Sequence, residues 1–346
     1  MGKVLFLLFG FIAIIGAGIF FGNKYLKPAS PQTATPVFYL PPSPSPTPTP
    51  VAKAYLTNED LLKLADNKYQ NGVVPLGDNK YVTSGPKKGY VYLCNVNKET
   101  GAGAGTDGPW ISGGSWNFLN KISVSGNVSW PNATFVSSVT GTNRVITGND
   151  LPITHTTGLF PIASNDQAYQ YDRNPNSISA QNINVTIPAN PTYSNTPYCM
   201  GGEVGIMNSG VALFNSFDAE LRDAPAHELQ DKCGGHPQKT GEYHYHGMSN
   251  CFTDINVATV LGFAYDGFPI TGPMVAKDKY LTTEDLDECH GITSEIKLNG
   301  VSTVTYHYVM TQDFPYSVSC FRGKYSQQQK SGSPPQPPAF DKHPLY

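Results

Sequence analysis

Charge is scarce in this chain: Asp, Glu, Lys and Arg together make up 14% of its 346 residues, and the formal net charge is −3. No basic cluster occurs beyond the flanks of the N-terminal apolar run, so the electrostatic footprint of a nucleic-acid binder is missing. A Gly-rich phosphate loop and a nucleophile elbow are also absent, which removes the two commonest sequence routes to nucleotide and serine-hydrolase chemistry. No Cys-x-x-Cys pair occurs either, and that speaks against a cytosolic zinc ribbon. Tryptophan is limited to Trp110, Trp116 and Trp130. Set among Gly and Ser they offer either a sugar-stacking platform or, as the simpler reading, packing residues of a core.

Long apolar runs are limited to one. Val4 to Phe21 is uninterrupted, with Lys3 before it and Lys24 and Lys27 after it, close to the minimum that crosses a bilayer as a helix. A cleavable signal peptide is the alternative, but Gly16-Ala17-Gly18 is followed by Ile19-Phe20-Phe21 rather than by a polar mature end. The sequence therefore predicts a membrane anchor over residues 1–27. A Pro/Ser/Thr-rich linker follows over 28–55, too rich in proline for helix or sheet interior. A short helical lead-in occupies 56–80, capped by Thr57 and ending at Asn71-Gly72. A β domain then spans 81–325, and a Gln/Ser/Pro-rich tail, expected to be disordered, covers 326–346. This organisation places the chain at the cell membrane as a single-pass protein, its domain on the extracytoplasmic side and the membrane its one nameable partner. No nucleic-acid partner is expected, and a small-molecule or surface partner stays unspecified.

What is abundant is Gly, Asn, Ser, Thr and Tyr, broken into short β-branched and aromatic runs. The pattern predicts a mainly β fold, an antiparallel sandwich or barrel-like domain stapled by disulfides, with one or two short helices. Tyr90 to Leu93, Lys121 to Val128, Thr134 to Val139, Ile183 to Ile187, Val211 to Phe214 and Tyr306 to Met310 read as strands. Gly262 to Ile270 reads as a hairpin turning at Asp266-Gly267, with Pro269 setting the second strand at a sheet edge. One helical turn is expected near Thr283, capped by Thr282 or Thr283.

The chemistry gathers around Tyr243-His244-Tyr245-His246. In an extended strand side chains alternate, so His244 and His246 share one face and the two tyrosines the other. His236, seven residues earlier across a Pro-Gln-Lys-Thr-Gly turn, returns to the same face if the segment is a hairpin. The order Asp231-x-Cys233-x-Gly235, Tyr243-His244-Tyr245, Cys251 is echoed by Asp287-x-Cys289-x-Gly291, Tyr306-His307-Tyr308, Cys320. The echo suggests an internal duplication, or equivalent turns across one sheet. It proposes disulfides Cys233 with Cys251 and Cys289 with Cys320, leaving Cys94 for Cys199, among the 15 connectivities six cysteines permit.

Beyond the four-letter motif, the chain carries Leu151 to Pro161, Asn174 to Asn176 with Gln181, Ile187 to Pro191, Gly205 to Val211 and Asp231 to Pro237. It goes on with Gly262 to Pro273, Leu286 to Gly291 and Pro315-Tyr316 through Cys320 to Gly323. In these segments, from about Trp116 to Gly323, it resembles the YHYH-domain family of exported proteins. The resemblance implies an exported, cysteine-bearing domain built round the His-rich strand, and carries no reaction with it. Ser209, between Asn208 and Gly210, departs from the family's Asn-Gly-Val turn.

Three readings of the histidines follow. His236, His244 and His246, joined by some of His155, His227 and His290, suit a divalent transition metal such as copper or zinc. Alternatively the imidazoles satisfy buried polar groups in a structural His/Tyr/Asp network. A metal-free hydrolase is the third, with His246 as general base oriented by Asp231 or Glu228, and Asp266 or Glu242 as a second carboxylate. Elsewhere Asp218, Glu220 and Asp223 beside Arg222 read as a solvated loop or a calcium site, Asp266 as a turn residue, and His307 as a buried hydrogen-bond partner.

Overall fold

The computed structural model describes residues 55–96, 98 and 104–325. The expected anchor, the linker up to residue 54 and the tail lie outside the described residues. Among those described, no helix is long and apolar enough to cross a membrane. The described residues belong to one compact unit, Lys53–Tyr346.

The protein is mainly β. A three-stranded antiparallel sheet is formed by β1 (Phe135–Thr140), β2 (Asn143–Gly148) and β3 (Ile183–Pro188). The main sheet has eight strands: β4 (Glu203–Met207), β5 (Ala212–Phe214), β6 (Gly235–Pro237), β7 (Tyr243–Tyr245), β8 (Val260–Ala264), β9 (Pro269–Thr271), β10 (Gly291–Leu298) and β11 (Val301–Val309). Their order across the sheet is β6-β7-β5-β4-β8-β9-β11-β10. All neighbours are antiparallel except β5 with β7 and β9 with β11. Ile146, Ile183 and Ile187 of the smaller sheet share one apolar core with Ile206, Phe263 and Tyr245 of the larger.

Alternation explains most of these elements. β3 reads buried, exposed, buried along Ile183-Asn184-Val185-Thr186-Ile187, the period of a strand with one face on a core. The Asp266-Gly267 turn joins β8 to β9, with Gly267 at φ +93°, a conformation that favours glycine. Pro269, however, does not mark an edge, because β9 lies between β8 and β11. As the first residue of its strand it need donate no ladder hydrogen bond. Lys121 to Val128 is not a strand. It carries only the single bridges Val124 to Asp231 and Val128 to Thr157.

Helix α1 (Asn58–Leu64) has the expected capping box of Thr57 and Asp60, but ends at Ala65 rather than Gly72. Asp66 instead bridges to Tyr280, and residues 68–71 form a turn. A 3-10 turn at Thr283–Asp285 follows the Thr282 cap. Trp110 and Trp116 are core residues whose indole N–H groups donate to the Ala226 carbonyl and the Tyr316 hydroxyl. Three disulfides join Cys94 to Cys199, Cys233 to Cys251 and Cys289 to Cys320.

Candidate metal centre

The hairpin β6–β7 sets the site. Gln238 N–H donates to the Glu242 carbonyl and Gly241 N–H to the Gln238 carbonyl, closing a turn that needs Gly241 at φ +82°. The register then sets His236 directly opposite His244. Asp231 fixes the approach to β6: one carboxylate oxygen accepts the N–H groups of Cys233 and Gly235, the other that of Gly158 and the Tyr243 hydroxyl. The tyrosine face is thus tied down by hydrogen bonds.

On the histidine face three imidazoles converge. His236, His244 and His246 are only 3%, 3% and 4% exposed, and ligand atoms of all three lie within 4.8 Å of one another. His244 Nε2 is 3.0 Å from His246 Nε2. Glu228, from the segment after α2 (Ala224–His227), brings Oε2 to 3.3 Å from His236 Nε2 and 3.4 Å from His246 Nε2. Phe214 of β5 stacks on His244 at 4.1 Å between ring centroids.

The outer nitrogens decide the tautomers. His244 Nδ1 lies 3.1 Å from the Glu242 carbonyl and His246 Nδ1 2.5 Å from the Asn215 carbonyl. A carbonyl only accepts, so each Nδ1 carries a proton, and in the neutral ring Nε2 is left as the inward acceptor. Glu228 Oε2 is buried without a hydrogen-bond partner, as are both nitrogens of His236. Its approaches to the imidazoles have the length of ion pairs but not the angles of hydrogen bonds, and neutral rings offer no ionic partner. Glu228 Oε2 and nitrogens of all three imidazoles thus lie within reach of one another.

Electrostatics keep His236 and His246 neutral. Burial, then His244, holds His246 down to about 3. Burial, then His244 and His246, holds His236 well below the usual imidazole value. Burial, then Asp218 and Asp172, pushes Glu228 well above the usual carboxylate range, a penalty that a cation at the focus would reverse. Lys121 Nζ holds the Glu228 segment in place, donating to the carbonyls of Pro225 and Glu228 and to Gln230 Oε1.

The other histidines do not join, which corrects the wider ligand set. His155 lies on the tyrosine face, its Nε2 2.6 Å from the Tyr245 hydroxyl. It also neighbours Cys233 and Cys251, but their sulfurs are committed to a disulfide. His227 sits between Asp107 and Asp78 at 2.8 and 3.0 Å. Burial lowers its pKa, and these two carboxylates more than restore it. His290 is paired with Thr311, and His307 with Thr271 and Ser294. The Asp218 loop is not solvated: Asp218 is buried against Arg222, and Asp223 accepts from Tyr316 and Gly77. Asp266, a turn residue, accepts from the Tyr308 hydroxyl and Gly323 N–H.

Sequence reasoning considered Glu228 only as an orienting residue and missed Lys121 and Phe214. The one available signal was the placement of Glu228 three residues before the Asp231 turn, which aims it back at the hairpin.

Fold and site together define a disulfide-stapled, mainly antiparallel β domain with a His-rich group that could hold a metal ion. Residues 184–283 match the family model described as "YHYH protein", so the chain carries a YHYH domain. The match includes all three imidazoles and Glu228. A search of the curated proteins and of the solved structures finds no match.

Proposed function

We propose that this is a membrane-tethered, extracytoplasmic protein whose YHYH hairpin holds one divalent transition metal ion, zinc or copper, between His236, His244, His246 and Glu228. The observation that carries it is the spacing of the inward atoms. Metal–nitrogen bonds of about 2.0–2.1 Å give a tetrahedron with six edges of about 3.3 Å; three of the contacts here are 3.0, 3.3 and 3.4 Å, and the imidazole nitrogens all lie within 4.8 Å of one another. Four protein ligands and near-complete burial suit retention of the ion rather than turnover, since a catalytic ion keeps an open position. Tethering rests on the Val4 to Phe21 run and its proline-rich continuation, and three disulfides suit an oxidising compartment.

Elemental analysis of the domain, purified without a histidine tag, tests this. About one equivalent of metal is expected, lost when His244 and His246 are both replaced by alanine while the disulfides remain. Protein with less than about a tenth of an equivalent, unable to take up added zinc or copper, would leave the imidazoles as a structural network.

A further inference from the structure

We infer that the metal-binding unit occurs twice in this chain, and that Ile292, His307 and Val309 mark a second centre whose ligands have been replaced. The sheet order β6-β7-β5-β4-β8-β9-β11-β10 reads the same from both edges: antiparallel hairpin, parallel pair, antiparallel hairpin. A two-fold axis through the Ile206–Phe263 pair relates the halves. The bonds beside it are reciprocal, Asn208 N–H to the Leu261 carbonyl and Tyr265 N–H to the Val204 carbonyl. Both inner hairpins turn alike. Gly210 and Gly267 take φ +89° and +93°, and each donates three residues back, to Met207 and Ala264.

The outer hairpins agree in finer detail. Asp287 accepts the N–H groups of Cys289 and Gly291 as Asp231 accepts those of Cys233 and Gly235. Gly234 and His290, next in each turn, both have positive φ, +77° and +71°. The Tyr306 hydroxyl reaches Asp287 as that of Tyr243 reaches Asp231. Tyr308 reaches Asp266 as Tyr245 reaches Ser209. Gly291 pairs with Tyr308 as Gly235 pairs with Tyr245. One register follows: Ile292 takes the place of His236, His307 that of His244, and Val309 that of His246.

The replacement is chemically complete. His307 has both nitrogens engaged at 2.8 Å by hydroxyls of Thr271 and Ser294, so it needs no ion. Ile292 and Val309 join an apolar cluster with Leu61 and Ala65, which gives the α1 lead-in a role as cover for the lost centre. Glu284, three residues before Asp287 as Glu228 is before Asp231, is exposed.

This inference rests on the metal reading of the first hairpin, and the test separates the two. In the full chain, Ile292→His with Val309→His, and Leu61→Ala to make room, should raise Co(II) uptake from about one equivalent to about two. Adding His307→Ala should return it to about one. A folded variant that stays at one overturns the inference. If the unaltered chain takes none, the metal reading of the first hairpin fails and this inference fails with it. Should the variant not fold, the reciprocal exchange decides: His236→Ile with His246→Val and Glu228→Leu should fold with its disulfides intact and bind no Co(II). Collapse of that exchange as well overturns the proposal.

Discussion

His236 and His244 stand opposite one another across β6 and β7, their ring centroids 4.6 Å apart. The rings meet at 45°, and the two tyrosines lie on the other face of the strand, so the two faces should respond differently to substitution.

Replacing His246 by alanine should weaken metal binding by more than the 10–100-fold typical of outer-shell changes, read by competition with a chelator. Tyr243→Phe should leave affinity nearly unchanged, because its hydroxyl serves Asp231 on the other face. Its effect should be a stability loss of about 1–3 kcal/mol, read by denaturant unfolding.

Glu228→Gln should act in opposite senses in the two states. Without metal, burial makes the charged carboxylate unfavourable, so the amide should raise the melting temperature. With metal, loss of the anionic ligand should weaken binding and shrink the stabilisation the ion provides. Equal melting shifts in both states would remove Glu228 from the coordination sphere.

Acid should destabilise the metal-free protein through histidines outside the centre. Burial holds His290 and His307 down to about 3, whereas an unfolded histidine titrates near about 6.5. Between those values the unfolded chain binds more protons, so this stability is present above about 6.5 and is lost as pH falls towards 3. The raised carboxyls Asp223 and Asp266 work in the reverse direction. Comparing His307→Asn with the unaltered protein cancels them, and the variant should show a shallower fall of melting temperature below about pH 6.5. Parallel profiles would contradict this.

Removal of the Cys94–Cys199 disulfide, which joins residues 105 apart in sequence, should destabilise more than removal of Cys233–Cys251, 18 apart. Chain entropy gives about 4.7 kcal/mol for a loop near 100 residues and about 3 kcal/mol for one near 15. Serine pairs compared by denaturant unfolding measure the difference.

The hairpin at the centre was legible because a strand's period of two and a Pro-Gln-Lys-Thr-Gly turn are local facts. So was the Asp266-Gly267 turn. The interior position of β9 was not, because the parallel partner β11 lies far along the chain and no local signal announces a parallel neighbour. The sorting of histidines failed for a similar reason. His155, His227 and His290 have the right chemistry, and only tertiary placement puts His155 against Tyr245 and His227 between two aspartates. Glu228 reads in the sequence only as an orienting residue, because its distance to His236 and His246 is set by tertiary placement.

The disulfide between Cys233 and Cys251 clasps β6 and β7 from outside all three imidazoles. A protease that nicks the exposed Lys239-Thr240 tip would therefore separate neither strand from the other. Both pieces would stay joined through the disulfide, and the site would outlast a break in its own turn.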